Sequence, residues 1–217
     1  MGQCCSCIRR MLSSSGIEMS SAGANNSAAE AFMVGESATQ VHSIDVAMSA
    51  PSIKTSNELG SEVSGHGLAL IETAVEQERA YWEWSVKMSG ETSATPPMIG
   101  VSNKRNSKFY EILAESSIPE EKHGTKFMCP VPNLKDGDVI GVVVQQSELP
   151  MVQLYKNGEL QDGLLVARFR GTVFPSVYLP QISGGTMSAT FLYRDDQFVH
   201  GSPSPQITAL IAERSLM

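Results

Sequence analysis

The chain has 217 residues, a formal net charge of −7 and 41% hydrophobic residues. The acidic balance argues against a nucleic-acid-binding protein, whose surface needs a basic excess. The length and the apolar content predict one domain with a single core plus tails. No apolar run in the sequence reaches the roughly 18 residues that a membrane-spanning helix requires.

The first ten residues, MGQCCSCIRR, indicate a lipid anchor. Gly2, which becomes the new terminus once the initiator methionine is removed, and Ser6 fit the N-myristoylation pattern. The same stretch carries thiols at positions where S-palmitoylation occurs: Cys4, Cys5 and Cys7. One myristoyl chain binds a bilayer only marginally, so palmitate would supply the second signal, and Arg9 and Arg10 would add attraction to an anionic leaflet. We therefore predict that residues 1–10 hold the protein at the cytoplasmic face of a membrane.

The cysteine cluster has two other interpretations, a zinc site and an unmodified tail. The three thiols lie too close together, and lack a fourth ligand nearby, to close a zinc tetrahedron. An unmodified tail is the alternative that stays open.

Residues 11–60 have a different composition from the rest of the chain. They consist largely of Ser, Ala, Gly, Asn and Thr and contain one aromatic residue, Phe32. A segment so poor in large apolar side chains cannot offset the entropy lost when its backbone is ordered. We predict a disordered linker over this range, and a flexible chain of about fifty residues has a root-mean-square reach of about 40 Å.

From residue 61 to residue 200 the sequence reads as short strands separated by turns. YWEWSVKM alternates, with Trp82 and Trp84 on its apolar face, which predicts a half-buried strand. DVIGVVVQQ is apolar at consecutive positions, which is typical of a strand that is buried on both sides or central in a sandwich. The pair Asn157-Gly158 predicts a type I′ hairpin, because both turn positions need a positive φ.

The remaining segments complete an all-β pattern. VFPSVYLP and TMSATFLY are further strands, and Pro175 and Pro180 place the first of them at a sheet edge or put the prolines at strand ends. Many short strands with turns between them indicate a β-sandwich. Residues 201–217 are expected to form a C-terminal tail, in which ITALIAERSLM is either a short helix or frayed.

Residues suited to catalysis or to metal binding are scattered along the chain. None of the histidines lies at a metal-ligand spacing from another or from Cys129: His42, His66, His123 and His200. We therefore predict no metal, no cofactor and no enzyme activity. A hydrolase that pairs Cys129 with His123 is the remote alternative.

One basic stretch, SNKRNSK, follows the predicted MIGVS strand in this acidic chain. It carries a set of polar and cationic residues that would suit a partner-contact loop: Asn103, Lys104, Arg105 and Lys108. Such a loop would bind an acidic peptide or a membrane surface, while the simpler interpretation is a solvated loop.

The order of the strand motifs resembles that of the SPRY (B30.2-like) domain. The family has a Tyr/Trp-Glu strand, found here at Tyr81–Val86, and then a Gly-Asp-(Val/Ile)-Ile-Gly strand, found at Gly137–Gly141. A (Phe/Tyr)-x-Asn-Gly hairpin follows at Leu154–Gly158, and a Phe/Tyr-Pro strand at Phe174–Leu179. The resemblance covers roughly residues 60–200 and implies a bent sandwich of two antiparallel sheets. It also implies a module whose loops bind a partner protein or a linear peptide, without catalysis.

Together these observations predict a membrane-anchored adaptor, in which a SPRY-type domain over residues 61–200 binds a partner protein at the cytoplasmic face of a membrane. The alternative is a constitutive scaffold component of a membrane-associated assembly. No nucleic-acid partner is expected, for the reason of charge given above.

Overall fold

The computed structural model describes residues 41–56, 60–90, 95–103 and 127–211, which form two β-sheets. In chain order the strands of this part of the chain are β1 (Lys54–Thr55), β2 (Glu62–Ser64), β3 (Gly67–Leu70), β4 (Arg79–Ser89), β5 (Met98–Ser102), β6 (Met128–Pro130), β7 (Val139–Gln145), β8 (Met151–Lys156), β9 (Glu159–Ala167), β10 (Phe174–Leu179), β11 (Thr186–Leu192) and β12 (Thr208–Ala209). None of these residues belongs to a helix that is long and apolar enough to cross a membrane.

The larger sheet has the strand order β1-β2-β11-β4-β7-β8-β9, and the smaller sheet has the order β3-β10-β5-β6. All pairs in both sheets are antiparallel except that of β12, which pairs in parallel with the start of β4. The predicted all-β fold of two antiparallel sheets is confirmed.

The core between the sheets is centred on aromatic residues of β4 and β11. Trp82 and Trp84 are fully buried, and the ring centroid of Phe191 lies 6.3 Å from that of Trp82 and 4.9 Å from that of Trp84. Tilted aromatic pairs of this kind contribute about 0.5–1.5 kcal/mol beyond the burial of their area. The inward face of β4 is the one that its alternating sequence predicted.

Two predictions about turns and prolines can be compared with the strands. Asn157 and Gly158 have φ values of 52° and 83° and join β8 to β9, so the predicted hairpin is confirmed. Strand β10 lies inside its sheet, between β3 and β5, so the edge position is wrong. The other prediction, that the prolines lie at the ends of the strand, is confirmed, because Pro175 is its second residue and Pro180 follows its last residue.

The ordered domain begins earlier than the predicted boundary at residue 61. Within residues 41–56, Ile44 forms a bridge with Ile71, and Ile53 is buried in the core. The backbone N–H groups of Asp45 and Ala50 donate to carbonyls of β3, at 2.8 Å each. This stretch therefore covers the free edge of β3, and both hydrogen bonds and the burial of Ile44 and Ile53 hold it there. The remainder of the predicted linker lies outside the described residues, apart from Gly60.

The outward face of β4 is buried in its first half, which corrects the prediction of a half-buried strand there, whereas the second half fits it, with Ser85 partly exposed and Lys87 exposed. Tyr81 and Glu83 are both fully buried, because the segment after β11 crosses this face. Phe198 contacts the Tyr81 ring edge-on at a centroid distance of 5.0 Å. Gly141 on the neighbouring strand makes room for Tyr81, since a Cβ there would lie 2.5 Å from the Tyr81 hydroxyl oxygen.

Glu83 is the polar centre of this second buried layer. Its carboxylate accepts hydrogen bonds from the backbone N–H groups of Val199, His200 and Gly201, at 2.6, 3.0 and 2.9 Å. It also accepts one from the Tyr81 hydroxyl at 2.8 Å. A buried charge is tolerated when its lone pairs are satisfied in this way. Burial, assisted by this hydrogen bond, raises the pKa of Tyr81 above its ordinary value.

The end of the described chain is a strand rather than the predicted helix or frayed tail. Gln77 holds β12 in place: its side-chain amide donates to the Ala209 carbonyl at 2.8 Å and its amide oxygen accepts from Ile211 N–H at 2.7 Å. Leu210 is buried. Residues 212–217 lie outside the described part of the chain.

Candidate functional site

Most residues of the predicted sites lie outside the described residues. This applies to the whole lipidation signal and its arginines, and to three members of the predicted contact loop: Gly2, Cys4, Cys5, Cys7, Arg9, Arg10, Lys104, Arg105 and Lys108. Asn103 of that loop is described, and it is exposed directly after β5. Among the concave surfaces that the described residues form, two lie at opposite ends of the strands.

The first surface, which we call the groove, lies where β2 and β3 join and where β10 and β11 join. Its volume is about 420 Å³. The residues that line it come from four separate stretches of chain: Ser52, Lys54, Ser64, Gly65, His66, Pro180, Gln181, Ile182, Gly185, Thr186 and Met187.

Close backbone packing fixes the walls of the groove. A Cβ on Gly65 would lie 2.1 Å from the Ser52 carbonyl oxygen, and one on Gly185 would lie 1.9 Å from the Ser89 carbonyl oxygen. The Ser52 hydroxyl also donates to the His66 carbonyl. Because no side chain fits at either glycine, main chain rather than side chains sets the shape of the groove.

The lining of the groove offers polar and apolar surface side by side. Lys54, Gln181 and Thr186 are exposed and offer a cation together with neutral donors and acceptors. Pro180 and Met187 are buried and provide apolar surface beside them. A mixed lining of this kind can hold an extended peptide through its backbone and one or two side chains.

The second surface lies at the opposite end of the strands, beside the loop between β7 and β8. It is a cleft of about 540 Å³, which we call the arginine cleft, and it is lined by Glu148, Leu149, Pro150, Arg168, Phe169 and Arg170. The buried Phe169 ring lies 6.0 Å from that of Phe127, whose carbonyl accepts a hydrogen bond from Val101 N–H near the end of β5. Asn103 follows two residues after Val101, so the predicted contact loop begins at this end of the sandwich.

The titratable residues do not assemble into a reactive centre among the described residues. Cys129 is 4% exposed, and burial raises the pKa of its thiol to about 11. His123, its suggested partner, lies outside the described residues. In the described ranges no group of His, Cys, Asp and Glu side chains could hold a metal ion.

His42 is buried in a structural position. One ring nitrogen, Nδ1, lies 2.8 Å from the Thr73 hydroxyl, and the ring packs edge-on against Tyr193 at 4.6 Å. Burial lowers the pKa of His42, although Glu72 and the Leu210 backbone act in the opposite direction. The side chain links the segment before β1 to Thr73, which follows β3, and to Tyr193, which follows β11.

Sequence reasoning missed both concave surfaces. The groove joins residues near 65 to residues near 185, and no local pattern reports such a pairing. The one available signal was the Gly184-Gly185 pair, because glycine in a connection between strands indicates close approach of backbone. Arg168 and Arg170 follow a strand and read as an ordinary solvated loop.

No family model and no curated protein matches the chain. Solved structures are similar in fold. The SPRY domain of human HERC1 has a TM-score of 0.47 and 15% identity over 69% of this chain and 96% of that chain. The PSpry domain of TRIM65 has a TM-score of 0.44 and 10% identity over 71% and 93%. The NEUZ (NHR) domain of Neuralized from Drosophila melanogaster has a TM-score of 0.46 and 11% identity over 71% and 92%.

Proposed function

We propose that the protein is a membrane-tethered adaptor whose β-sandwich binds a partner protein or peptide in the groove. The observation that carries the proposal is the groove itself, a surface of mixed polarity whose walls are fixed by main chain at Gly65 and Gly185. A preformed surface binds with less loss of conformational entropy than a surface that must order on binding. The resemblance of the strand motifs to those of SPRY domains supports the same function.

The membrane tether rests on the sequence MGQCCSC. Gly2 would carry the myristoyl group, and palmitate on a neighbouring cysteine would make attachment stable. Anchoring raises the effective concentration of the adaptor for partners at the same membrane without adding any contact. The cytoplasmic face is proposed because N-myristoylation and S-palmitoylation signals of this type are typical of proteins there.

The groove is tested by proximity labelling in cells from the full chain. The test variant Lys54→Glu/Gln181→Trp reverses a charge and fills space at two exposed groove positions. The control variant Lys135→Glu/Gln161→Trp makes the same chemical changes at residues that do not line the groove. We expect the groove variant to stay at the membrane and to lose partners that the wild type and the control both label. Retention of the full partner set by the groove variant would contradict the proposal.

The anchor is tested separately by Gly2→Ala, which should move the protein from the membrane fraction to the soluble fraction. A variant that sediments with membranes as the wild type does would rule out the myristoyl anchor. A partner that co-purifies at fixed stoichiometry through gel filtration would favour the constitutive scaffold over the adaptor.

The hydrolase alternative is tested through the reactivity of Cys129. In a variant with Cys4, Cys5 and Cys7 changed to serine, Cys129 is the only thiol. Because burial raises the pKa of this thiol to about 11, it is almost entirely protonated at neutral pH. We expect a thiol probe to label it only after the protein is unfolded. Rapid labelling of the folded protein would support the hydrolase alternative.

A further inference from the structure

The arginine cleft combines positive charge with exposed apolar surface. Arg168 and Arg170 are both exposed, on either side of Phe169, which is 3% exposed. Leu149, in the facing loop, is 49% exposed. Glu148 lines the same cleft, so the cleft holds two cations and one anion.

The two arginines differ from the other arginines of the described chain. Arg79 donates from Nη1 to the Gln206 side chain at 2.7 Å, and Arg194 lies 3.1 Å from an Asp196 carboxylate oxygen. No carboxylate among the described residues pairs with Arg168 or Arg170. In the described part of a chain with a net charge of −7, Arg168 and Arg170 therefore form a local concentration of positive charge.

Arg168 is also held in an unusual backbone conformation. Its φ is +65°, and the other described non-glycine residues with positive φ are asparagines, Asn133 and Asn157. Asparagine adopts this region readily, whereas a long side chain does so at a cost. The hydrogen bond from Arg168 N–H to the Pro150 carbonyl, at 2.7 Å, ties this turn to the facing loop, and Arg168 and Leu149 both line the cleft.

We propose that the arginine cleft binds an acidic linear peptide segment of a partner protein, one with two acidic side chains separated by one residue and an apolar side chain beside them. Guanidinium groups pair with carboxylates through charge-assisted, often bidentate, hydrogen bonds, and the apolar side chain would pack on Leu149 and Pro150. The inference extends the proposed interaction function to a second surface, and it does not depend on the groove.

The test uses the recombinant full chain without acyl groups and fluorescence anisotropy. The probe is a labelled twelve-residue peptide of alternating glutamate and serine with a central leucine, and the control peptide has glutamine in place of every glutamate. The test variant is Arg168→Glu/Arg170→Glu. The matched control variant is Lys87→Glu/Lys135→Glu, which changes the net charge equally at residues outside the cleft.

We expect the wild type to bind the glutamate peptide at least about tenfold more tightly than the glutamine peptide, and the cleft variant to lose about tenfold or more in affinity. The control variant and the groove variant Lys54→Glu/Gln181→Trp should bind like the wild type, which separates failure of this inference from failure of the groove. Thermal unfolding of each variant checks that it is folded. If the charge reversal unfolds the protein, Arg168→Gln/Arg170→Gln replaces it as the test variant, and it should show a smaller loss of affinity for the glutamate peptide.

Three results would overturn the proposal. The first is no preference of the wild type for the glutamate peptide. The second is an equal loss of affinity in the cleft variant and the control variant. The third is arginine-dependent binding to vesicles of phosphatidylserine and phosphatidylcholine without binding to the peptide, which would make the cleft a membrane contact.

Discussion

The two ends of the sandwich are built in different ways. At the groove, main chain packs on main chain, with Gly65 against Ser52 and Gly185 against Ser89 at separations that exclude a Cβ. At the arginine cleft, the side chains of Arg168 and its neighbours form the surface. The groove therefore depends on a shape that few substitutions leave intact, whereas the cleft depends on charge that can be changed without disturbing the fold.

The largest expected effect is a difference in stability between the two ends of the sandwich when one methyl group is added at each. Gly185→Ala should lower the free energy of unfolding by about 3 kcal/mol, because the new Cβ would lie 1.9 Å from a backbone oxygen. Gly171→Ala, next to Arg170, should cost only about 1 kcal/mol, because its φ is +82° but no atom lies within 4 Å. Urea unfolding of both variants checks this, and equal losses would remove the distinction between the two ends.

Salt should distinguish the two ends, because it weakens binding that depends on charge more than binding that depends on shape. Raising sodium chloride from about 50 mM to about 300 mM should weaken binding of the glutamate peptide to the arginine cleft by about tenfold, because exposed ion pairs are screened. Binding in the groove should change far less, since Lys54 is the one charged side chain, apart from the titratable His66, among its lining residues. Anisotropy titrations at both salt concentrations measure the cleft, and a salt-independent affinity there would refute the charge-based account.

The smallest expected effect comes from one substitution at Arg168, which should change the stability of the fold and the affinity for peptide in opposite directions. Arg168→Gly should raise the free energy of unfolding by about 0.5 kcal/mol, because glycine adopts a φ of +65° without steric cost while its greater freedom in the unfolded chain offsets part of the gain. The same change should weaken glutamate-peptide binding. Asn133→Gly, at a φ of 56°, is the control and should alter neither quantity. A destabilised Arg168→Gly protein would show that the arginine is held there for structural reasons.

Local patterns in the sequence predicted those parts of the fold that depend on neighbouring residues. The inward face of β4 follows from the alternation around Trp82 and Trp84, and the hairpin follows from the positive φ that Asn157-Gly158 accommodates. Residues 41–56 escaped prediction because their few large apolar side chains follow no periodic pattern, and they are held by hydrogen bonds to β3 together with the burial of Ile44 and Ile53.

The candidate sites were less accessible to sequence reasoning than the fold. Asn103 does lie at the end of the sandwich that carries the arginine cleft, and the contact of Phe127 with Phe169 links its strand to the segment of Arg168 and Arg170. The groove likewise exists because pairing of β2 with β11 and of β3 with β10 brings distant connections together. Long-range pairing of this kind leaves no periodic signal in either segment.

The carboxylate of Glu83 also has a consequence for the order in which the protein forms. Its backbone partners lie 116 to 118 residues further along the chain, so during synthesis they emerge long after β4. Until they arrive, the outward face of β4 cannot close without trapping an unpaired charge, and such distant contacts slow folding. The domain therefore completes late, and a fragment that stops short of Gly201 would expose its central strand instead of forming a smaller version of the sandwich.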